Sequence, residues 1–307
     1  LREVAVVRSN FHLKLLFDNN KVNIEIYTSS KLKNDKYFEF YKDKIIFFEK
    51  EKCGLNIIKC FYYNKFIYYN KLKKIININN IDKLILFNDN DPVSNFFKEC
   101  INNKKVELWE DGLNYYICYY PNFYLKAVFK LFLGYYPKNI FKKAFDREIV
   151  ECYDRFLNNK LNYNLELKKC ENYTNSYIFI GQPLVEDHIL TKKQFIHKME
   201  KLCEMVNCKI FYLPHPREKD WIKKINFINI IETKMLAEDY INDNRFRGYL
   251  SVFSTVNLNI CKIEKNNYYL AGYFGLNKLS KKLKVLYKTK NIDFIDNDGD
   301  VIKKIKL

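Results

Sequence analysis

Short apolar runs recur along the 307-residue chain, and the stretches between them carry apolar residues at helical spacing. A run of about four to eight apolar residues bounded by turn signals reads as a buried strand, and apolar positions three and four apart read as one face of a helix. Residues 3–7 predict a first strand, Arg8-Ser9-Asn10-Phe11-His12 a loop, and Leu13, Leu15, Leu16 and Phe17 the start of a helix. Residues 22–27 alternate as a half-buried strand, and 45–48, 83–87 and 105–109 predict three more. Asn88-Asp89-Asn90-Asp91-Pro92 is a turn leading into a helix with Phe96 and Phe97. Residues 113–160, rich in Tyr, Phe, Leu and Lys and interrupted by Pro121 and Pro137, predict helices with an aromatic and basic outer face.

The Asn- and Lys-rich stretch 158–175 reads as a linker, after which the pattern restarts. Residues 177–180 predict a strand ending in Gly181-Gln182-Pro183-Leu184, and 191–206 a helix carrying Phe195, Ile196, Met199, Leu202 and Met205. Residues 209–213 and 227–231 predict further strands, Leu236-Ala237-Glu238 a short helix, and 248–253 a strand ending in Ser254-Thr255. Strands alternating with helices predict an α/β fold on mostly parallel sheets. The expected architecture is two Rossmann-like domains, residues 1–165 and 176–307, facing each other across a cleft.

The net charge of +17 changes this picture by pointing to anionic partners: nucleic acid, an anionic membrane or a phosphate-bearing ligand. The basic residues are mostly Lys, and Lys, Asn, Ile, Tyr and Phe dominate as A/T-rich codons would produce, so part of the charge is compositional. Base recognition by Arg forks is poorly served and no RNA-recognition or zinc-finger signature occurs, so no nucleic-acid partner is expected. Attraction to an anionic lipid surface remains, through the basic stretch 126–147 and the C-terminal lysines. No run of about twenty apolar residues predicts a membrane span, and the first residues read as a strand rather than a leader. Nine scattered cysteines without C-x-x-C spacing fit free thiols in a reducing cytoplasm.

The most constrained chemistry lies in Tyr212-Leu213-Pro214-His215-Pro216-Arg217-Glu218, where a core strand runs into a turn. The prolines stop the ladder and bias His215 toward extended backbone. The imidazole is thereby placed at the carboxyl end of a strand, where open α/β sheets bind ligands; the plainer reading is a turn histidine. Glu110-Asp111-Gly112 sets two acids at another strand end, with Gly112 permitting a tight turn. Adjacent acids suit general-base work because one raises the pKa of the other, though a solvated acidic turn has the same pattern. Ser254-Thr255 can offer hydroxyls and amides to a phosphate or simply cap a helix. No G-x-G-x-x-G or P-loop is present, which argues against dinucleotide redox chemistry and NTP hydrolysis. Asp296-Asn297-Asp298-Gly299-Asp300 opens like a calcium loop but lacks the later Glu.

Taken in order, Glu110-Asp111-Gly112, Ile180-Gly181-Gln182-Pro183-Leu184, the His215-Pro216 turn and Ser254-Thr255 resemble the bacterial sialyltransferases, specifically glycosyltransferase family 52, the lipooligosaccharide sialyltransferases. The opening strand and Arg8–His12 are similar too, although a Gln is usual where His12 stands. The resemblance covers residues 3 to about 260. It implies a GT-B arrangement with an acceptor-side N-terminal domain and a C-terminal domain for the nucleotide sugar. It further implies inverting transfer of sialic acid from CMP-sialic acid to a terminal galactose of a surface glycan, with no metal or other cofactor. Asp111 is then the expected base with Glu110 second, Asp187 the rival base, and His215 the acid or cation at the phosphate. Gly181, Gln182, Pro216, Arg217, Glu238, Ser254 and Thr255 are the expected substrate-binding residues. The expected location is cytoplasmic, peripheral at the inner face of the inner membrane, and the oligomeric state stays open, a homodimer included. The alternatives are a transferase for another nucleotide sugar and a non-catalytic basic protein that binds membrane surfaces or nucleic acid.

Overall fold

A computed structural model of the chain describes residues 1–54, 56–76, 81–88, 92–101, 106–110, 112, 128, 132–134, 151–153, 160–162, 173–206, 208–261, 264, 266–288 and 291–305. The chain divides into two compact units, Leu1–Asn164 and Leu165–Leu307. Each is built on a six-stranded, all-parallel sheet.

In the first unit β1 (Glu3–Val6), β2 (Ile24–Thr28), β3 (Ile45–Phe47), β4 (Lys83–Leu86), β5 (Val106–Trp109) and β6 (Glu151–Tyr153) take the order β3-β2-β1-β4-β5-β6. Helices α1 (Asn10–Asp18), α2 (Lys36–Tyr41), α3 (Ile57–Tyr62), α4 (Tyr69–Ile75) and α5 (Pro92–Cys100) lie between them. In a parallel sheet covered on both faces the central strands are apolar throughout. Val4, Ala5, Leu84, Ile85 and Leu86 are accordingly fully buried, and Phe96 and Phe97 of α5 complete the core on one face.

The second unit repeats the plan. Strands β7 (Tyr173–Ile180), β8 (Ile210–Leu213), β9 (Asn229–Ile230), β10 (Arg245–Ser251), β11 (Asn267–Tyr269) and β12 (Asp293–Phe294) take the order β12-β11-β10-β7-β8-β9. Helices α6 (Lys192–Met205), α7 (Ala237–Asp243), α8 (Thr255–Ile260), α9 (Asn277–Leu286) and α10 (Asp298–Lys304) connect them. Helix α6 starts on a full capping box: the Thr191 side chain accepts the Gln194 N–H while the Gln194 side chain accepts the Thr191 N–H. Phe179 of β7 stacks on Tyr212 of β8 at 5.4 Å and meets Phe195 and Phe274 edge-on or tilted, forming an aromatic centre.

Both strand orders reverse direction at their first strand, which makes a switch point between β1 and β4 and another between β7 and β10. The carboxyl side of such a switch point is where open sheets bind ligands.

The structure departs from the sequence reading in several places. β6 falls inside the stretch predicted as helical, because a three-residue edge strand, Glu-Cys-Tyr, carries no apolar run to signal it. β7 begins at Tyr173, inside the predicted linker, and the basic tail folds as β11, α9, β12 and α10. The acidic run at 296–300 is a helix start: the Asn297 side chain accepts the Asp300 N–H, and Asp296 takes Ser280 Oγ–H at 2.7 Å and an ion pair from Lys284. The Asp89-Asn90-Asp91 turn lies outside the described residues, as does 126–147 apart from 128 and 132–134.

Phe179 touches three other rings in a fully buried site, so Phe179→Ala leaves a void that rigid neighbours cannot fill. It is expected to cost about 3–5 kcal/mol in urea unfolding of the second unit. A loss below about 1 kcal/mol would contradict a packed aromatic centre there.

Candidate functional site

The second unit's switch point carries several of the residues expected from sequence, and a side-chain bond crosses it. Gln182, just past β7, accepts the backbone N–H of Phe253, just past β10, at Oε1 (2.8 Å). On the other side of β7 the ladder to β8 continues through Gly181 N–H to the Leu213 carbonyl at 2.8 Å. The loop after β8 therefore starts directly beside Gly181.

That loop is a single capped turn. His215 stands in the N-cap position and Pro216 in the first turn position, where a missing N–H is harmless. Glu218 stands three residues on. Its Oε2 accepts the His215 backbone N–H at 2.6 Å, and the Glu218 N–H returns to the His215 carbonyl at 2.9 Å. The His215 ring joins the cap, because Nδ1 accepts the Arg217 N–H at 3.1 Å. With Nδ1 an acceptor, the proton of the neutral imidazole resides on Nε2. The half-buried ring thus presents an N–H donor at the carboxyl end of β8.

Glu218 is held from below as well. The buried Tyr212 hydroxyl donates to its Oε1 at 2.6 Å. A Cβ on Gly181 would come within 2.5 Å of Glu218 Oε2, 2.8 Å of the Leu213 carbonyl and 2.9 Å of the Tyr212 hydroxyl, so only glycine leaves room for this carboxyl. Burial pushes the Glu218 carboxyl up to about 7, against the lowering effect of its Tyr212 and His215 hydrogen bonds. Burial, then the Glu218 charge, holds the Tyr212 phenol well above its ordinary value, so it remains a donor.

The loops after β7 and β8 are also tied to each other. Arg217 donates from Nη1 to Asp187 Oδ1 (2.8 Å) and from Nη2 to Oδ2 (3.0 Å), a bidentate pair. Glu186 Oε1 accepts the Trp221 indole N–H at 2.8 Å and the Lys219 backbone N–H at 3.1 Å. Burial alone would raise the Glu186 carboxyl, but these donors outweigh it and leave it below the ordinary value.

The sequence candidates thus fall into distinct settings. Gly181, Gln182, His215, Pro216, Arg217 and Asp187 share the β7–β8 loop pair. Asp187 has both carboxylate oxygens engaged by Arg217. Ser254 acts as the cap of α8: its hydroxyl accepts the Val256 N–H at 3.2 Å and its carbonyl accepts the Tyr269 hydroxyl at 2.6 Å. Thr255 is the half-exposed residue of that otherwise buried helix. Glu238 is buried at the start of α7 and accepts Asn259 Nδ2–H at 3.1 Å, joining α7 to α8. In the first unit Glu110 is fully buried past β5, its N–H bonded to the Tyr153 carbonyl, and Gly112 has φ +94°, the left-handed turn its lack of Cβ permits. Asp111 lies outside the described residues.

Glu218, Glu186 and Trp221 escaped the sequence reading. The signal for Glu218 was present: a Glu three residues after a capping position, with Pro between, is the acidic half of a capping box.

Residues 158–271 match the family model for glycosyltransferase family 52, a span that contains every second-unit residue of this site, and the match supports a glycosyltransferase. No curated protein sequence matches the chain. Among solved structures, UDP-GlcNAc 2-epimerase of Methanocaldococcus jannaschii in complex with UDP-GlcNAc and UDP aligns over 99% of this chain and 92% of its own at 14% identity, TM-score 0.53. The S. aureus MnaA–UDP co-structure aligns over 99% and 87% at 10% identity, TM-score 0.54. Spinosyn rhamnosyltransferase SpnG, complexed with spinosyn aglycone, aligns over 99% and 90% at 7% identity, TM-score 0.52. The two-domain GT-B-like α/β fold is shared, and a fold that hosts both epimerases and transferases leaves function to the site.

Two measurements probe the capped turn. Gly181→Ala must displace either the Leu213 carbonyl or the Glu218 carboxyl, so a loss of roughly 1–3 kcal/mol is expected; unchanged stability would show that the carboxyl sits elsewhere. A carboxyl with a raised folded-state pKa binds its proton more tightly when folded. Its contribution is therefore fully present at acid pH and is lost as pH rises through about 7. Between about pH 5 and pH 8 the parent should lose on the order of a few degrees of Tm relative to Glu218→Gln, whose amide does not titrate. Parallel pH profiles for the two proteins would refute the buried, titrating carboxyl.

Proposed function

We propose that this glycosyltransferase moves sialic acid from CMP-sialic acid to a terminal galactose of a bacterial surface glycan, with inversion and without a metal. The observation that carries the reading is the His215 turn. Within the segment that matches family 52, it sets an imidazole Nε2–H donor at the carboxyl end of β8, one strand from the switch point.

The chemistry asks for such a group. The bond from the anomeric carbon to the CMP phosphate breaks through an oxocarbenium-like transition state, and CMP leaves with the electron pair. Charge grows on the phosphate oxygen as it departs, and a donor placed there in advance stabilises the transition state more than the ground state. His215 supplies that donor, with the Thr255 hydroxyl close to the switch point as a second donor and Glu238 toward the ribose. Gln182 and Gly181 shape the floor on which the nucleotide rests. The acceptor hydroxyl attacks the opposite face of the anomeric carbon and gives its proton to a carboxylate. Asp111 is the proposed base, with Glu110 beside it in chain order. Asp187 is the rival, available when Arg217 turns from it to the donor.

The net charge of +17 would draw the enzyme to an anionic membrane, where lipid-linked acceptors lie. A second donor deserves a parallel assay, because two of the fold neighbours hold UDP.

The test is direct. Protein incubated with CMP-sialic acid and lactose should release CMP and form sialyllactose, in the presence of EDTA. CMP alone should raise the Tm, since a ligand that binds only the folded state stabilises it. His215→Ala should lower turnover by about a hundred- to ten-thousand-fold and weaken CMP binding. Asp111→Ala should lose turnover but keep CMP. A UDP-sugar consumed in place of CMP-sialic acid would replace the donor, and full activity in His215→Ala would remove the assignment of the leaving-group donor.

A further inference from the structure

Helix α3, a π turn over Tyr63–Tyr68 and helix α4 run without a break from Ile57 to Ile75. One side is buried in the first unit through Cys60, Asn64, Tyr68, Leu72 and Ile76, each four residues from the last. Steps of four drift around a helix of 3.6 residues per turn, and the wider π turn takes up part of that drift and keeps the line on the core. Asn64 anchors it: its amide donates to the Leu133 carbonyl at 2.8 Å and to the Lys52 carbonyl at 2.9 Å.

The opposite side is apolar as well. Ile58, Tyr62 and Phe66, again four apart, are 82%, 60% and 50% exposed, and Phe132, next to the anchored Leu133, is 63% exposed. Phe66 packs on Tyr62 at 5.4 Å and on Phe61 at 6.5 Å, so the line is one aromatic ridge. Exposed apolar residues that form a continuous ridge mark an interaction surface, where scattered ones would not.

The charge around the ridge says what covers it. Between Glu51 and Asp82 the sequence has six lysines, Lys52, Lys59, Lys65, Lys71, Lys73 and Lys74, and no acid. Lys65 Nζ lies 5.1 Å from the Phe61 ring and 5.6 Å from Phe66, and Lys52 Nζ lies 3.9 Å from the Tyr63 ring. The lysine stems thus run along the aromatic surface with their ammonium groups at its rim. At one edge Glu49 accepts the Tyr63 hydroxyl at 2.8 Å, with Glu51 two residues on in the chain. An aromatic and aliphatic ridge rimmed by lysines fits the boundary between acyl chains and anionic headgroups. Among the described residues no helix is long and apolar enough to cross a membrane, so the contact is one of lying on the surface.

We propose that the Ile57–Ile75 helix is the face by which the first unit docks on an anionic lipid bilayer, with Ile58, Tyr62, Phe66 and Phe132 entering the interface. The proposal rests on the membrane-surface part of the functional reading and not on its donor chemistry, and it is read without turnover.

The experiment is co-sedimentation of the full chain with vesicles of phosphatidylethanolamine and phosphatidylglycerol, beside vesicles of phosphatidylcholine alone. The parent should prefer the anionic vesicles and release them at high salt. Ile58→Ser/Tyr62→Ser/Phe66→Ser should bind on the order of a hundredfold more weakly, with the melting curve confirming its fold. Lys59→Gln and Lys65→Gln should each weaken binding about fivefold at low salt. Lys278→Gln/Lys281→Gln/Lys282→Gln, on exposed positions of α9 in the second unit, should weaken binding by less than Lys59→Gln/Lys65→Gln together do. As a gain of signal, Phe66→Trp should add a blue-shifted emission on anionic vesicles. The proposal is overturned if the parent ignores lipid charge, if the triple serine variant binds like the parent, or if that variant loses only self-association, which would make a second copy the occupant.

Discussion

The site depends on one half-buried carboxyl. Glu218 takes the backbone N–H of His215 on one oxygen and the Tyr212 hydroxyl on the other, each at 2.6 Å. The strand beneath supplies the tyrosine, the turn above supplies the amide, and Gly181 of the neighbouring strand leaves the space between them. Without the carboxyl the His215 N–H would lose its partner, and the turn would lose what aims it. Because the His215 ring completes the same cap through Nδ1, backbone geometry also decides which nitrogen carries the proton. The orientation of the imidazole proposed to meet the leaving group is thus set by local hydrogen bonding and not by substrate.

A raised carboxyl pKa is a sign of stress between burial and charge, and such stress gathers at functional sites. Here the stress has a structural use. Two donors hold the carboxyl in place, while two neighbouring links, Arg217 to Asp187 and Trp221 to Glu186, fasten the β8 loop to the β7 loop. The pair of loops behaves as one platform beside the Gln182–Phe253 bridge. The first unit shows a parallel arrangement at its own switch point, where His12 is buried, stacks on Phe87 at 3.9 Å and accepts the Arg8 N–H at Nδ1. There the imidazole is a packing element.

Much of this was legible in the residues. The apolar runs at 3–7, 83–87, 177–180 and 209–213 fold as buried parallel strands because both faces of the sheet are covered, which leaves no alternation to confuse with a helix. The Pro-His-Pro turn announced a histidine at a strand end for the same local reasons that the structure uses. Other parts were opaque. Strands such as Asn267–Tyr269 and the edge strand Asp293–Phe294 are too short to carry a pattern and exist because a neighbour offers its ladder. The 57–75 helix hides from periodicity because both its sides are apolar and a π turn breaks its phase. Ser254 has equal claims as cap or ligand in sequence, and only its bonds assign it to the cap. The bidentate Asp187–Arg217 pair joins two residues thirty positions apart, which no local signal reveals.

The most direct test of the central claim is long-range proton–nitrogen NMR of histidine-labelled protein titrated with CMP. The chain has four histidines, so each ring can be followed. The free protein should show His215 with its proton on Nε2, and added CMP should shift that signal saturably while the other three rings stay in place. A His215 ring protonated on Nδ1, or one indifferent to saturating CMP, would contradict the account.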